Sequence, residues 1–547
     1  MDGNLKSRRQ SVLVCGALFA IALYMLAWLD VPLFYDEASF RRLYGRAFID
    51  GFLLYSFFPV CAEPKAVPFV FVPSHIVFSW IDGWPNWVGV RLLPLGSIAG
   101  LAVATTMLVR QQQSTSMNWG WSLAILCGGF IGLSGAGLVL SRWEYLVTLQ
   151  ITMCLVTWMV ASQEPVPLWG TVSVLAVHLF AILLSLFVHP QGLLVMPLSF
   201  LTCVYLLRSH RWLAVGVGGL LVLLSVQSLV HNQFRCPEDP ELEAVIAKTH
   251  GVVLTNQLAG YSLIERMVHR AVHFERQFFF QYVEAMSIPV PQLPEAVALI
   301  VNPPIAVVVS FNLLGLVLGF AYALRLLWRA HYVTLRRRQW WLFVKNVAVD
   351  ARALWALSAF LVLFYSLFDF GGVFYRAHFR NLLSALLLAI AGVHIAEAVG
   401  LKWLKRWSIL SSATCIVSAL VAWFFLTPQL AQGYESYYVS LQRDWPTFNN
   451  RVRALANRCG ITKDDEHVVV DVATYNAMRE HPRTLDFLYV WYDEYLKGTL
   501  DPDRTPQEWL NLYKRFSTSG YVVRCQTLQF AKLPIQYRDA DICCLGF

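Results

Sequence analysis

Charge is what this chain has least of. Asp, Glu, Lys and Arg together make up 14% of it, against 57% hydrophobic residues and a mean hydropathy of +0.51. So apolar a chain is excluded from the ordinary soluble classes and fits a polytopic membrane protein. It also has no internal repeat, no low-complexity tract and no CxxC pair of the metal-binding kind, which removes solenoids, flexible linkers and zinc ribbons. No small-residue cleavage site follows the first apolar segment, whose apolar core is too long for a secretory signal, so that segment is expected to be retained. The net charge of +8 does not describe a nucleic-acid binder. Its basic clusters sit in short loops between apolar runs, where the positive-inside rule puts them.

What is present is a long series of apolar segments. The hydropathy pattern predicts about eleven transmembrane helices, centred on 11–29, 89–109, 120–140, 145–161, 169–188, 190–207, 212–231, 298–322, 353–370, 381–397 and 408–427. Lys6, Arg8 and Arg9 precede the first. Arg110, Arg208 to Arg211, Arg336 to Arg338 and Lys402 to Arg406 fall in loops on the same side of the membrane. An odd number of spans then puts the C-terminus on the opposite, outer side.

The expected organisation is a transmembrane region over 1–426 with outer loops at 30–86 and 231–295, followed by an outer soluble domain over 427–547. In the first loop, Phe48–Val60 and Val67–Trp80 are apolar but too short or too interrupted by proline to span, and read as interfacial helices. The C-terminal segment carries strand-like runs at His467–Val472, Gly520–Cys525 and Ile542–Phe547, with helical stretches at Trp445–Asn457 and Thr505–Phe516. A small α/β domain of roughly 120 residues follows. Of the 11 cysteines, Cys459, Cys525, Cys543 and Cys544 fall in this domain and Cys61 and Cys236 in outer loops, where disulfides are permitted. The spacing leaves their pairing open.

The chemistry-bearing residues collect at the outer ends of the expected helices. Tyr35-Asp36-Glu37 follows the first apolar segment directly. Its carboxylates either cap a helix opening near Ala38 or supply a general base in a membrane-edge pocket that raises a carboxylate pKa. Arg142 and Glu144 lie in the next outer turn, as a local ion pair or as part of the same acidic pocket. His189 opens the turn His189-Pro190-Gln191-Gly192, either as a hydrogen-bonded turn residue or as a group lining the pocket. Tyr375, Arg376, His378 and Arg380 form a cation cluster on the outer side, against the positive-inside trend. Such cations anchor a lipid headgroup or grip a phosphate, to which arginine offers planar charge-assisted donors. Lys65 is a further phosphate candidate. Glu265 to Arg276 read as a solvated helix face that can cover the pocket.

Taken in this order, with Trp87-Val88-Gly89-Val90-Arg91 opening the second helix, these motifs resemble the GT-C superfamily of glycosyltransferases over about Leu5 to Gly400. Among its branches the chain is most similar to the aminoarabinose lipid A transferases and protein O-mannosyltransferases, and its outer C-terminal domain resembles that of arabinofuranosyltransferases. It departs from the first branch at Glu63-Pro64-Lys65-Ala66-Val67-Pro68, where a Lys-Pro-Pro segment is usual. It has no WWD-type sequon-reading motif.

The resemblance implies a multi-pass protein of the bacterial inner membrane, N-terminus cytoplasmic and C-terminus periplasmic. It implies an inverting enzyme that moves a sugar, arabinofuranose among the candidates, from a polyprenyl-phosphate carrier to a protein such as pilin or to a glycan. In that scheme Asp36 deprotonates the acceptor with Glu37 and Glu144 beside it. Arg376, Arg380, His378, Arg142 and Lys65 meet the donor phosphate, and His189, Tyr35 and Tyr375 line the pocket. No cofactor is required, although Asp36, Glu144 and His189 are a ligand set a divalent metal could use. Two rival classes stand beside this one: an O-antigen ligase or polymerase acting on diphosphate-linked glycans, and a lipid or sugar flippase or transporter.

Overall fold

The computed structural model describes residues 47–50, 53–56, 65–67, 69–82, helical positions between 96 and 107, and 146–162, 167–188, 192–233, 265, 268, 294–339, 342, 401–421, 424–425, 445–461, 467–471, positions between 473 and 481, 484–486, 505, 507 and 518–547. In chain order its elements are β1 (Ala47–Asp50), β2 (Leu53–Ser56), β3 (Lys65–Ala66), a 3₁₀ turn (Phe69–Phe71), α1 (Val72–Asp82), α2 (Leu146–Ala161), α3 (Leu168–Val188), α4 (Gly192–Leu206), α5 (Arg211–Gln233), α6 (Glu295–Arg336), α7 (Leu401–Val421) and α8 (Trp445–Arg458). There follow β4 (His467–Val470), β5 (Thr484–Asp486), β6 (Thr518–Arg524), α9 (Cys525–Phe530), β7 (Tyr537–Asp539) and β8 (Ile542–Gly546). The chain divides into two compact units. One collects Met1–Leu29, Arg91–Leu229 and Gly260–Gln429, the other Asp30–Val90, Val230–Ala259 and Leu430–Phe547.

In the first unit, Leu168–Phe187, Arg211–Leu229 and Glu295–Arg336 are long and apolar enough to cross a membrane. Helices α2, α3 and α4 pack around a buried polar seam. Gln150 donates to Ser199 at 3.0 Å and Thr157 Oγ1 lies 2.9 Å from His178 Nδ1. Cys154 and Cys203 approach the two nitrogens of the same imidazole at 3.5 and 3.6 Å. These contacts fix direction as well as packing: Gln150 meets α4 early and Arg208, just past α4, donates to Ala161 O at the end of α2 at 2.9 Å. Helices α2 and α4 therefore run parallel and in direct contact, and α3 packs antiparallel to α2. With nothing hydrophobic to gain against lipid, helices in a bilayer are held by close packing and by such interhelical hydrogen bonds. Helix α6 stacks Phe311 on Trp407 of α7, ring centroids 4.2 Å apart.

Two expectations are corrected here. Phe48–Val60 is not helical where described: β1 and β2 pair antiparallel from Ala47↔Ser56 to Asp50↔Leu53, and β3 adds to β2 through Ser56↔Lys65. Phe48, Ile49 and Tyr55 favour strands. The basic clusters expected in loops also lie partly within helices. Lys402 to Arg406 belong to α7 and Arg336 to α6, because nothing in these stretches breaks a helix and arginine and lysine are good helix formers.

In the second unit a five-stranded sheet has the order β5-β4-β6-β8-β7. Strands β4, β5 and β6 are parallel, β8 pairs antiparallel with β6, and β7 pairs antiparallel with β8. Helix α8 turns Phe448, Val452, Leu455 and Ala456 onto one sheet face, against Val468, Val470, Val522 and Ile542, the helical spacing of three and four meeting the strand period of two. The helix ends in a Schellman motif. Ile461 N–H bonds Ala456 O and Gly460 N–H bonds Asn457 O, both at 3.0 Å, with Gly460 at φ +76°, a conformation that costs glycine nothing. This turn delivers Cys459 to the sheet, where it is disulfide-bonded to Cys544.

Candidate functional site

Tyr35, Asp36, Glu37, Arg142, Glu144, His189, Tyr375, Arg376, His378 and Arg380 lie outside the described residues, as does most of the Glu265–Arg276 stretch. Lys65 is placed by its backbone alone, in the edge strand β3 opposite Ser56. The structure therefore describes the frame around part of the expected site. Glu144 precedes the start of α2 at Leu146 by two positions and His189 directly follows the end of α3 at Val188.

That frame is the end of the bundle where α2 begins, α3 finishes and α4 begins, and it is packed tightly around Gly192. A Cβ at Gly192 would lie 2.6 Å from Ser185 Oγ and 3.2 Å from Gln150 Oε1. Only a glycine lets α4 start so close to α3. Helix α5 returns to the same end, with Ser228 Oγ donating to Leu186 O at 3.4 Å.

The His178 seam is the polar feature that sequence reasoning missed. A histidine, two cysteines, a glutamine and several hydroxyls within three apolar segments were a visible signal, but their meeting required helix register. His178, Gln150, Ser199 and Thr157 are fully buried. Among the described residues no group of three His, Cys, Asp or Glu could hold a metal ion. The seam contains no carboxylate, and its chemistry is that of helix-to-helix attachment.

The second buried polar centre is Asp471, at the carboxyl end of β4. Its Oδ1 accepts from Ala473 and Thr474 N–H at 3.1 and 3.2 Å, and its Oδ2 from Arg524 N–H at 2.8 Å and Thr527 Oγ1 at 2.9 Å. The Thr474 hydroxyl accepts from Asp471 N–H and donates to Val522 O. In open α/β sheets the carboxyl ends of neighbouring parallel strands are a usual ligand crevice. Here Asp471 fills the gap between β4 and β6 and ties them together, with the Arg524 guanidinium 3.5 Å away.

Among the described residues of this unit, Tyr521 and the Arg451–Asp539 pair are also perturbed. Burial pushes the Tyr521 phenol well above its ordinary range, so it does not ionise at working pH. On the surface, a hydrogen bond from Arg451 holds the Asp539 carboxyl below its usual range, through contacts of 2.6 and 3.0 Å.

No protein-family model and no curated protein matches this chain. Among solved structures it matches the crystal structure of ArnT from Cupriavidus metallidurans bound to undecaprenyl phosphate, at 12% identity and a TM-score of 0.46, with 98% of each chain covered. At that identity no side chain of this protein takes its role from the match.

Proposed function

We propose that this protein is a membrane glycosyltransferase of the GT-C kind, which moves one sugar from a polyprenyl-phosphate carrier to an extracytoplasmic acceptor in a single inverting displacement. The observation that carries the reading is the order of charges along the sequence. Paired carboxylates, Asp36-Glu37, follow the first apolar segment, and an arginine cluster, Arg376 and Arg380, stands on the side where cations are disfavoured. Asp36 takes the acceptor proton as the new glycosidic bond forms. The bond from the anomeric carbon to the phosphate oxygen breaks, and the arginines hold the departing phosphate, with Arg142, His378 and Lys65 beside them. Glu37 and Glu144 keep the pocket acidic, and Tyr35, His189 and Tyr375 line it. Fixed cations can neutralise the phosphate, so the scheme requires no metal.

Two features of the structure support the setting. Among the described residues three helices have the length and composition of membrane spans, and the sheet of the second unit carries two disulfides, Cys459–Cys544 and Cys525–Cys543. Disulfides persist in oxidising compartments, which favours an outer C-terminus in the bacterial inner membrane. A soluble unit on that side suits a macromolecular acceptor, protein or glycan, since a lipid acceptor can reach a membrane-edge pocket laterally. Arabinofuranose transfer to pilin is one reaction of this form.

The test is donor choice by the purified full-length protein, offered a labelled sugar on undecaprenyl phosphate, the lipid bound in the ArnT structure, or a diphosphate-linked oligosaccharide. Transfer from the monophosphate supports the reading. Transfer from the diphosphate alone identifies a ligase or polymerase, and lipid movement without transfer a flippase; either result overturns it.

A further inference from the structure

Helix α6 is longer than a membrane needs. Its 42 residues span roughly 63 Å at about 1.5 Å per residue, twice a hydrocarbon core of about 30 Å. Ile305 to Leu324 alone crosses such a core. The last three turns, Arg325–Arg336, run on without a break for roughly another 18 Å.

This extension combines two kinds of exposure that neither water nor lipid tails accommodate together. Arg325, Arg329 and Arg336 are exposed, and so are Leu324 at 46%, Trp328 at 57%, Tyr332 at 44% and Val333 at 57%. Arg325, Arg329, Tyr332 and Arg336 follow the spacing i, i+4, i+7, i+11. At about 100° per residue they form one stripe, with Trp328 along its border. The Trp328 and Tyr332 rings stand against each other, centroids 5.8 Å apart. Arg337 and Arg338 continue the charge past the helix end, and from Ala296 to Arg338 the chain has no acidic residue. Among the described residues no carboxylate pairs with Arg325, Arg329 or Arg336.

Aromatic rings with one apolar and one polar edge sit at headgroup depth. Arginine side chains beside them, with no counter-charge among the described residues, meet phosphates at that depth as bidentate donors. We propose that the Arg325–Arg329–Arg336 stripe of α6 is a docking surface for the headgroups of anionic phospholipids, with Arg325 and Arg329 meeting phosphates beside Trp328 at headgroup level and Tyr332 and Arg336 just outside it, where Arg336 acts through the negative surface potential. The surface draws on the described helix alone and does not depend on glycosyl transfer.

The experiment titrates full-length protein in non-ionic detergent with phosphatidylglycerol or phosphatidylcholine and reads the melting temperature. Phosphatidylglycerol is expected to raise it saturably, and phosphatidylcholine is not. Each cation near an anionic surface contributes roughly fivefold to association, so R325Q/R329Q/R336Q should shift the midpoint at least about tenfold, and the triple lysine variant far less. Equal effects of the two lipids, or an unchanged midpoint in the glutamine variant, would overturn the proposal. Should the glutamine variant not fold, photoactivatable phosphatidylglycerol on the wild-type protein decides. Labelling within 325–336 supports the surface, and labelling confined to other segments refutes it.

Discussion

Cys543 and Cys544 are consecutive residues of β8 that bond in opposite directions, Cys543 to Cys525 at the start of α9 and Cys544 to Cys459 at the end of α8. Side chains alternate across a strand, so neighbouring cysteines staple both faces of one sheet. All four sulfurs are buried, none of the cysteines being more than 7% exposed. Because all four are disulfide-bonded, alkylation of the unreduced, denatured protein should leave them unmodified. Cys525→Ser should free one thiol, at Cys543, and cost about 2–5 kcal/mol. Recovery of Cys544 as the new thiol would mean that the pairing is different.

Gly192→Ala tests the close start of α4. The added methyl meets Ser185 Oγ, Gln150 Oε1 and Leu186 Cδ2, and overpacking of this kind costs about 1–3 kcal/mol. Thermal unfolding in detergent should show the loss, and adding Ser185→Ala should recover part of it. A Gly192→Ala protein as stable as wild type would contradict the packing described at this end of the bundle.

Asp471→Ala should be among the most damaging single changes in the second unit. It leaves the Arg524 amide and the Thr527 hydroxyl without this acceptor and removes the carboxylate 3.5 Å from the Arg524 guanidinium, a loss of about 3–5 kcal/mol by analogy with other broken buried pairs. Hydrogen exchange should accelerate first in β4 and β6. Asp471→Asn keeps one acceptor oxygen and should cost less; equal exchange in all three proteins would make the residue incidental.

The Arg451–Asp539 pair gives a pH dependence of known sign. The folded-state carboxyl is depressed by its arginine partner, so its stabilisation is present above the ordinary aspartate value of about 3.9 and is lost as pH falls through the folded value. Both side chains are more than a third exposed, which limits the effect to under about 1 kcal/mol. Arg451→Gln should lower the melting temperature slightly at neutral pH and not at all once the carboxyl is protonated in the folded state. A difference that persisted there would assign the effect to packing.

How much was legible in sequence depended on how local the signal was. Helices α3 to α5 lie within a few residues of the apolar runs that predicted them, and β4, β6 and β8 fall on the expected strand-like segments. The β1–β2 hairpin was missed although Asp50-Gly51 interrupts the apolar run Phe48–Val60 with a hairpin turn signal. The far end of α6 was missed because hydropathy marks where a bilayer ends, not where a helix does. The His178 seam and the crossed disulfides depend on which distant residues share a face, and no single-sequence pattern encodes that. The charge-bearing turns of the proposed site were legible as residues, and their geometry lies outside what the structure describes.

In the proposed reaction the Asp36 carboxylate removes the acceptor proton during transfer from a polyprenyl-phosphate sugar. The most direct measurement compares purified wild type with Asp36→Asn, reading turnover and donor binding separately. The amide keeps the shape of the side chain but cannot take up the proton, so turnover should fall by about 10²-fold or more while the donor dissociation constant stays within a few fold. Near-normal turnover in Asp36→Asn would contradict the account.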